Sequence, residues 1–315
     1  PETGRYYHFY NSVIGKYISA DAALPQTYST KDAGPYTLFY YDKNGLLSYG
    51  RGQYLQGADL ADIGETGAEI TILPSRTGVM DMYNIISDNT DYIRIHTADT
   101  LANVTGNSVS AGKAKAYDFR SIYAISLPVR LDENGWGTFS SALPVTIPHD
   151  CVAYVVEGYE PATASVSLRS IMPGTVVAAN TGILLHGTPS VTIEMKISEK
   201  GLAYSGNLLR PAVAAMHAGE DDRAYILVSN NGVLSFSQIN GTDRFAPSHS
   251  SWLSLDDSTA PQSISIVMPG SETSVVHVTG GNTGNDIIYN IHGQEMRKPQ
   301  GGINIINGRK VVVRQ

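Results

Sequence analysis

The sequence predicts an all-β chain, and three observations carry that expectation. Apolar and polar residues alternate over short runs, turn residues punctuate those runs, and thirty-one glycines and fifteen prolines interrupt every helical period. Within that class the pattern changes twice along the chain, so three β regions are expected: residues 5–124, 125–270 and 271–315.

The first region is built on a repeat. Gly15-Lys16-Tyr17-Ile18 is echoed by Gly52-Gln53-Tyr54-Leu55 and, more loosely, by Asp91-Tyr92-Ile93, which places the three tyrosines 37 and 38 residues apart. An alanine–aspartate pair follows each of them: Ala20-Asp21, Ala58-Asp59 and Ala98-Asp99. Each unit then reaches a second β-type run, at 36–41, 68–73 and 115–122. A unit of this size, made of short strands, cannot bury its own apolar face and must close against its copies. Three such copies around one axis make a β-trefoil, the fold expected for this region.

Tyrosine usage marks the next boundary. Fourteen of the nineteen tyrosines fall in residues 1–123, and longer alternating runs take over from about residue 125. Strands are expected at 125–131, 137–147, 152–156, 164–168, 175–177, 182–185, 191–197, 224–228, 233–239 and 264–268, separated by turn signals such as Asp132-Glu133-Asn134-Gly135 and Asn230-Asn231-Gly232. Many strands at such spacing predict an antiparallel β-sandwich. One short helix is expected near 207–218, weakened by Pro211. Beyond a Ser/Thr/Gly stretch at 271–285, runs at 287–291, 302–306 and 310–313 predict a compact terminal unit, with Asn307-Gly308 as its hairpin turn.

Composition narrows the function. The net charge of −7 carries no basic stripe of the kind that phosphate binding needs, so no nucleic-acid partner is expected. The one basic cluster, Arg297, Lys298, Arg309, Lys310 and Arg314, reads as a solvated terminal hairpin. Cys151 is alone, which excludes an internal disulfide and a cysteine-based zinc site. No apolar run approaches the length of a membrane span. The first residues lack the basic and apolar parts of a signal peptide, so an export signal is expected upstream of Pro1.

Leu127-Pro128-Val129, Gly135-Trp136-Gly137-Thr138-Phe139 and Leu143-Pro144-Val145-Thr146-Ile147-Pro148 resemble a β-sandwich recurrent in exported proteins of Bacteroidetes. The likeness continues through Ala179-Asn180-Thr181-Gly182-Ile183-Leu184-Leu185 and Gly206-Asn207-Leu208-Leu209. The closing segment, Ile288-Tyr289-Asn290-Ile291-His292-Gly293-Gln294 with Gly301-Gly302-Ile303 and Ile305-Ile306-Asn307-Gly308-Arg309-Lys310, is similar to the C-terminal sorting tails of type IX secretion, although Asn304 stands where those tails usually carry an aromatic residue. The resemblance implies the C-terminal portion of a larger extracellular or cell-surface protein, behind an upstream domain of the same polypeptide.

No local motif carries catalysis. The chain has no Gly-x-Ser-x-Gly elbow, no His-Glu-x-x-His helix and no phosphate-cradling glycine loop, and its eight histidines are scattered. His149-Asp150-Cys151 reads as a turn beside a buried cysteine, and Glu220-Asp221-Asp222 as a solvated turn. A non-enzyme without cofactor or metal is therefore expected. Binding is better supported: an aspartate after the first strand of a unit can accept hydrogen bonds from sugar hydroxyls, and a nearby aromatic face can stack on the sugar's C–H surface. Asp21, Asp59 and Asp99, with Tyr28 as the platform of the first unit, are the candidate ligand-binding residues, and a glycan is the candidate partner. The chain lacks the Gln-x-Trp motif of the sugar-binding trefoil family. A structural spacer with an anchoring tail and no ligand of its own is the competing expectation.

Overall fold

Strand Arg5–Asn11 (β1) shows how the chain uses both faces of a strand. Tyr7 and Phe9 point into one apolar cluster while Tyr6 joins a second, and all three are buried. Period-two alternation sends successive side chains to opposite faces. A strand covered on one face and solvated on the other would need only half these aromatics.

The computed structural model describes residues 1–21, 27–96, 100–105, 116–217, 223–230, 233–239, 245–256, 259–269, 288–290, 295–296, 298, 302–306 and 309–313. It is all-β: among the described residues helical conformation is confined to 3-10 turns, at Pro35–Thr37 and at Ala116, and no helix is long and apolar enough to cross a membrane. Pro1–Ile266 forms one compact unit and Val267–Gln315 another.

After β1 the N-terminal part runs through Lys16–Ser19 (β2), Tyr28–Thr30 (β3), Leu38–Asp42 (β4), Gly45–Ser48 (β5), Leu55–Gln56 (β6) and Asp59–Leu60 (β7). It continues with Ile70–Pro74 (β8), Tyr83–Ser87 (β9), Asp91–Ile95 (β10), Leu101–Thr105 (β11) and Arg120–Tyr123 (β12). One pairing scheme recurs three times. A ring strand pairs with an outer hairpin and the chain then returns to the ring: β1 with β2–β3 and then β4, β5 with β6–β7 and then β8, β9 with β10–β11 and then β12. Ladders β1–β4, β4–β5, β8–β9 and β12–β1 hold the ring, and Tyr83 and Phe119 bridge β9 to the segment before β12. At the remaining seam β5 and β8 approach closely, and a Cβ on Gly45 would stand 2.8 Å from the Ala68 carbonyl. The result is a nearly closed barrel filled by Tyr7, Phe9, Phe39, Leu46, Ile85 and Phe119. Ile18, Leu55 and Ile93, each one residue after a repeat tyrosine, plug it from the three outer hairpins. Ala20 and Ala58 join the same cluster, so these repeat alanines are core residues.

The second part comprises Ser126–Arg130 (β13), Trp136–Phe139 (β14), Val145–Thr146 (β15), Cys151–Glu160 (β16), Ser165–Ile171 (β17), Val176–Val177 (β18), Ile183–Gly187 (β19) and Thr192–Ile197 (β20). Leu209–Ala212 (β21), Met216–His217 (β22), Ala224–Asn230 (β23), Val233–Gln238 (β24), Phe245–Ala246 (β25), Ser250–Ser254 (β26) and Ser263–Val267 (β27) follow. A four-stranded sheet in the order β13-β20-β15-β18 shares one apolar cluster with a nine-stranded sheet in the order β14-β19-β16-β17-β27-β24-β23-β26-β21. Leu127, Ile193 and Val177 enter from the first sheet, and Phe139, Val155 and Leu185 from the second. Fully burying side chains of this size is worth roughly 1.5–3 kcal/mol each.

Two sequence expectations are corrected. The helix expected near 207–218 is not formed by residues 207–217: Leu209–Ala212 are β21 and Met216–His217 are β22. Pro211 sits in β21, which lies at the end of the nine-stranded order, the edge position where a missing N–H is tolerated. The run 137–147 is not one strand but two in different sheets, because Ser140 and Ser141 are buried between them and Ser140 N–H donates to the His249 carbonyl at 3.0 Å.

In the unit Val267–Gln315, Ile288–Asn290 (β28), Glu295–Met296 (β29), Gly302–Ile306 (β30) and Arg309–Val313 (β31) pair in the order β29-β28-β30-β31. Asn304 is buried at the centre of this small sheet, opposite Asn290 and Val311. The turn signals Asn231-Gly232 and Asn307-Gly308, the acidic triplet at 220–222 and the stretch 271–285 lie outside the described residues.

Candidate functional site

The first unit carries a depression of about 340 Å³ on its outer hairpin. Its floor comes from the β2–β3 ladder, where Ser19 pairs with Tyr28, Ile18 with Ser29 and Tyr17 with Thr30. Because Ile18 is committed to the barrel core, its neighbour Ser19 lies on the opposite face, and its Oγ accepts a hydrogen bond from Asp21 N–H at 3.1 Å. That contact fixes the backbone of Asp21 where the chain leaves β2. The depression is lined by Asp21 and Tyr28 together, so the structure joins two of the residues expected from sequence.

Two further lining residues, Asp32 and Tyr36, were not singled out by sequence. They lie in the turn Lys31-Asp32-Ala33-Gly34-Pro35-Tyr36, where an acidic turn residue and an aromatic one bracket Gly-Pro, a signal that the repeat alone does not expose. Tyr36 is held from below: a Cβ on Gly50 would stand 2.4 Å from its ring, so the ring seats on bare backbone. The Arg51 guanidinium lies 5.8 Å from the same ring centroid while Arg51 Nε donates to the Ala20 carbonyl at 3.1 Å. Ala20 N–H in turn donates to the Tyr36 carbonyl at 2.8 Å. Thr37 closes the back wall. Its Oγ1 donates to the Gly34 carbonyl at 2.9 Å and meets His8 Nδ1 at 2.8 Å, and burial pushes the His8 imidazole below its ordinary value, favouring the neutral ring.

The two carboxylates of the depression are left open to solvent. Asp21 and Asp32 are exposed, and among the described residues neither carboxylate is engaged in a hydrogen bond or ion pair. Tyr28 is half-buried and Tyr36 is 38% exposed, enough to offer apolar ring surface beside acceptor oxygens. Carboxylates, hydroxyls and aromatic rings at one shallow place can accept hydrogen bonds from hydroxyls and stack on C–H surface.

The other expected residues stand differently. Asp59 is exposed in β7 opposite Gln56, on a hairpin whose strands are separated only by Gly57 and Ala58, so it follows the turn where Asp21 precedes a long connection. Asp99 lies outside the described residues. The repeat tyrosines are packed into protein. Tyr17 packs against Tyr10 in a tilted pair at 4.6 Å, and Tyr92 packs edge-on to Tyr117 at 6.4 Å beneath the Arg76 guanidinium. Tyr54 donates to Asp42 Oδ2 at 2.8 Å, and its phenol is pushed up to about 12, chiefly by burial. Cys151 is a free, buried thiol pushed up to about 11 by burial, the opposite of an activated nucleophile.

No model of a known protein family matches the chain, and no curated protein matches it.

Proposed function

We propose that this chain is a non-catalytic carbohydrate-binding or substrate-tethering module of a larger exported protein, with residues 5–124 a β-trefoil and residues 125–270 a β-sandwich. The observation that carries the proposal is the meeting of Asp21 and Tyr28 in one depression whose carboxylates are open to solvent. The threefold recurrence of ring strand, outer hairpin and ring strand supports the trefoil. The two sheets that share one apolar cluster support the sandwich. A shallow site of this kind binds weakly, and its value lies in raising the effective concentration of a tethered partner at a polymer surface. The small terminal sheet, with its resemblance to sorting tails, fits an extracellular or cell-surface location.

A glycan array probed with the full chain tests the proposal. Binding to at least one glycan class that is lost in Asp21→Asn supports it, and silence across the array counts against it. A second proposal, a spacer with an anchoring tail, draws on the buried joint between the barrel and the second region, where Tyr6, Leu38 and Tyr49 share a cluster with Leu127 and Phe139. Loss of surface display on deleting 271–315, together with a silent array, favours that alternative.

A further inference from the structure

Resting on the carbohydrate proposal, the depression on the first outer hairpin also carries a preference in charge. Two carboxylates line it, Asp21 where the chain leaves β2 and Asp32 just after β3, and no lysine or arginine does. Lys31 flanks Asp32 in the turn but is not part of the lining, and Arg51 is committed elsewhere: its Nε bonds the Ala20 carbonyl and its guanidinium covers the Tyr36 ring. His8, behind Thr37, is kept neutral by burial. An anionic sugar would meet two like charges among the lining residues. A neutral pyranose can donate hydroxyls to both carboxylates but brings no positive charge to either. An amino-bearing pyranose uses both, one for a hydroxyl and one for its ammonium group, while its C–H face rests on Tyr28.

We infer that the site selects amino sugars carrying a free ammonium group over their N-acetylated and neutral counterparts, with Asp21 as hydroxyl acceptor and Asp32 as partner of the ammonium. In water-like surroundings an ammonium about 4 Å from one carboxylate gains about fivefold in affinity. Because both groups are exposed, the gain shrinks with added salt.

Isothermal titration of the full chain with three β-1,4-linked trisaccharides, of glucosamine, of N-acetylglucosamine and of glucose, tests this. The expected result is about fivefold tighter binding of the glucosamine trisaccharide, falling towards parity at about 1 M salt, where screening acts within about 3 Å. Asp32→Asn abolishes the preference, bringing the ratio of the glucosamine to the glucose trisaccharide affinities to about one. Asp32 is exposed, so thermal melting of the variant verifies an intact fold. Equal binding of all three sugars overturns the charge preference and leaves carbohydrate binding standing. A preference unchanged in Asp32→Asn overturns the assignment of the ammonium to Asp32. No binding by any of the three overturns this inference, and a silent array besides removes the carbohydrate proposal itself.

Discussion

Two clusters of aromatic and polar groups occupy the same barrel and have opposite fates. On the first outer hairpin, Asp21, Asp32, Tyr28 and Tyr36 surround a depression with both carboxylates exposed and unengaged among the described residues. Where the barrel meets the second region, Tyr6, Tyr49 and His249 are closed from solvent. There the His249 ring stacks on Tyr49 at 4.0 Å and lies 5.7 Å from Tyr6. Tyr49 Oη donates to the Pro128 carbonyl at 2.7 Å, and Ala142 N–H donates to Tyr6 Oη at 3.3 Å. His249 Nδ1 lies 3.2 Å from the Ser140 carbonyl, which can only accept, so Nδ1 carries the proton and Nε2 is a buried acceptor without a partner. Similar residue types thus make a joint where protein covers them and an open site where water does. The joint's polar groups contribute to folding and the depression's do not, which leaves the depression's carboxylates available to a ligand.

This contrast predicts a graded set of outcomes. The largest effect belongs to the centre of the joint. Tyr49→Ala removes a ring that is 6% exposed together with its hydrogen bond, and is expected to cost about 3–5 kcal/mol in urea denaturation. A loss below about 1 kcal/mol would mean that the joint contributes little to folding. Next comes Gly52→Ala. Gly52 has φ +68°, and a Cβ there would stand 2.4 Å from Ser248 Cβ and 2.6 Å from Ala215 N, so an expected cost of about 2–3 kcal/mol combines left-handed strain with displaced backbone. A variant as stable as the parent would show that the two regions separate there without penalty.

The third outcome is a pH dependence. Burial lowers the His249 imidazole to about 3, against an ordinary value of 6.5. Below about 6.5 the unfolded chain binds a proton at this residue while the folded chain stays neutral until about 3, so stability is lost as the pH falls through that window. The slope approaches about 1.4 kcal/mol per pH unit, and His8, also lowered by burial, adds in the same direction. Urea midpoints followed from neutral to acid pH are expected to fall more gently in His249→Asn, a residue that tolerates the positive φ of 51° at this position. Identical slopes in parent and variant would exclude His249 as the source. The smallest stability effect lies in the depression. Asp21→Asn is expected to change stability by less than about 0.5 kcal/mol and to weaken glycan binding about tenfold. Asp59→Asn is expected to change neither, and equal losses of binding in the two variants would erase the distinction drawn between their hairpins.

Much of the barrel was legible in the chain because its signal is periodic. Tyr17, Tyr54 and Tyr92 recur at near-constant spacing, and the residue after each is a core plug. The tyrosines themselves fill the layer outside the core, a distinction that spacing cannot express because adjacent strand residues share a position in the repeat and differ in face. Asp21 and Asp59 look equivalent in sequence, yet a long connection follows one and a two-residue turn precedes the other, and the depression of the first hairpin is lined by Asp21. Pro211 was read as a flaw in a helix when it is an edge-strand residue, because local propensity does not reveal which strands end a sheet.

The sequence by itself determined that the chain is all-β, that a tyrosine-marked pattern recurs at Tyr17, Tyr54 and Tyr92, and that fourteen of its nineteen tyrosines fall before residue 124. Those properties depend on alternation and spacing, which are local. Only the tertiary structure decided that Asp32 and Tyr36 join Asp21 and Tyr28 around one depression, that His249 is sealed beneath Tyr49, and that the run at 137–147 serves two sheets. Such outcomes depend on which strands become neighbours, and that pairing is settled by the burial of whole faces at once.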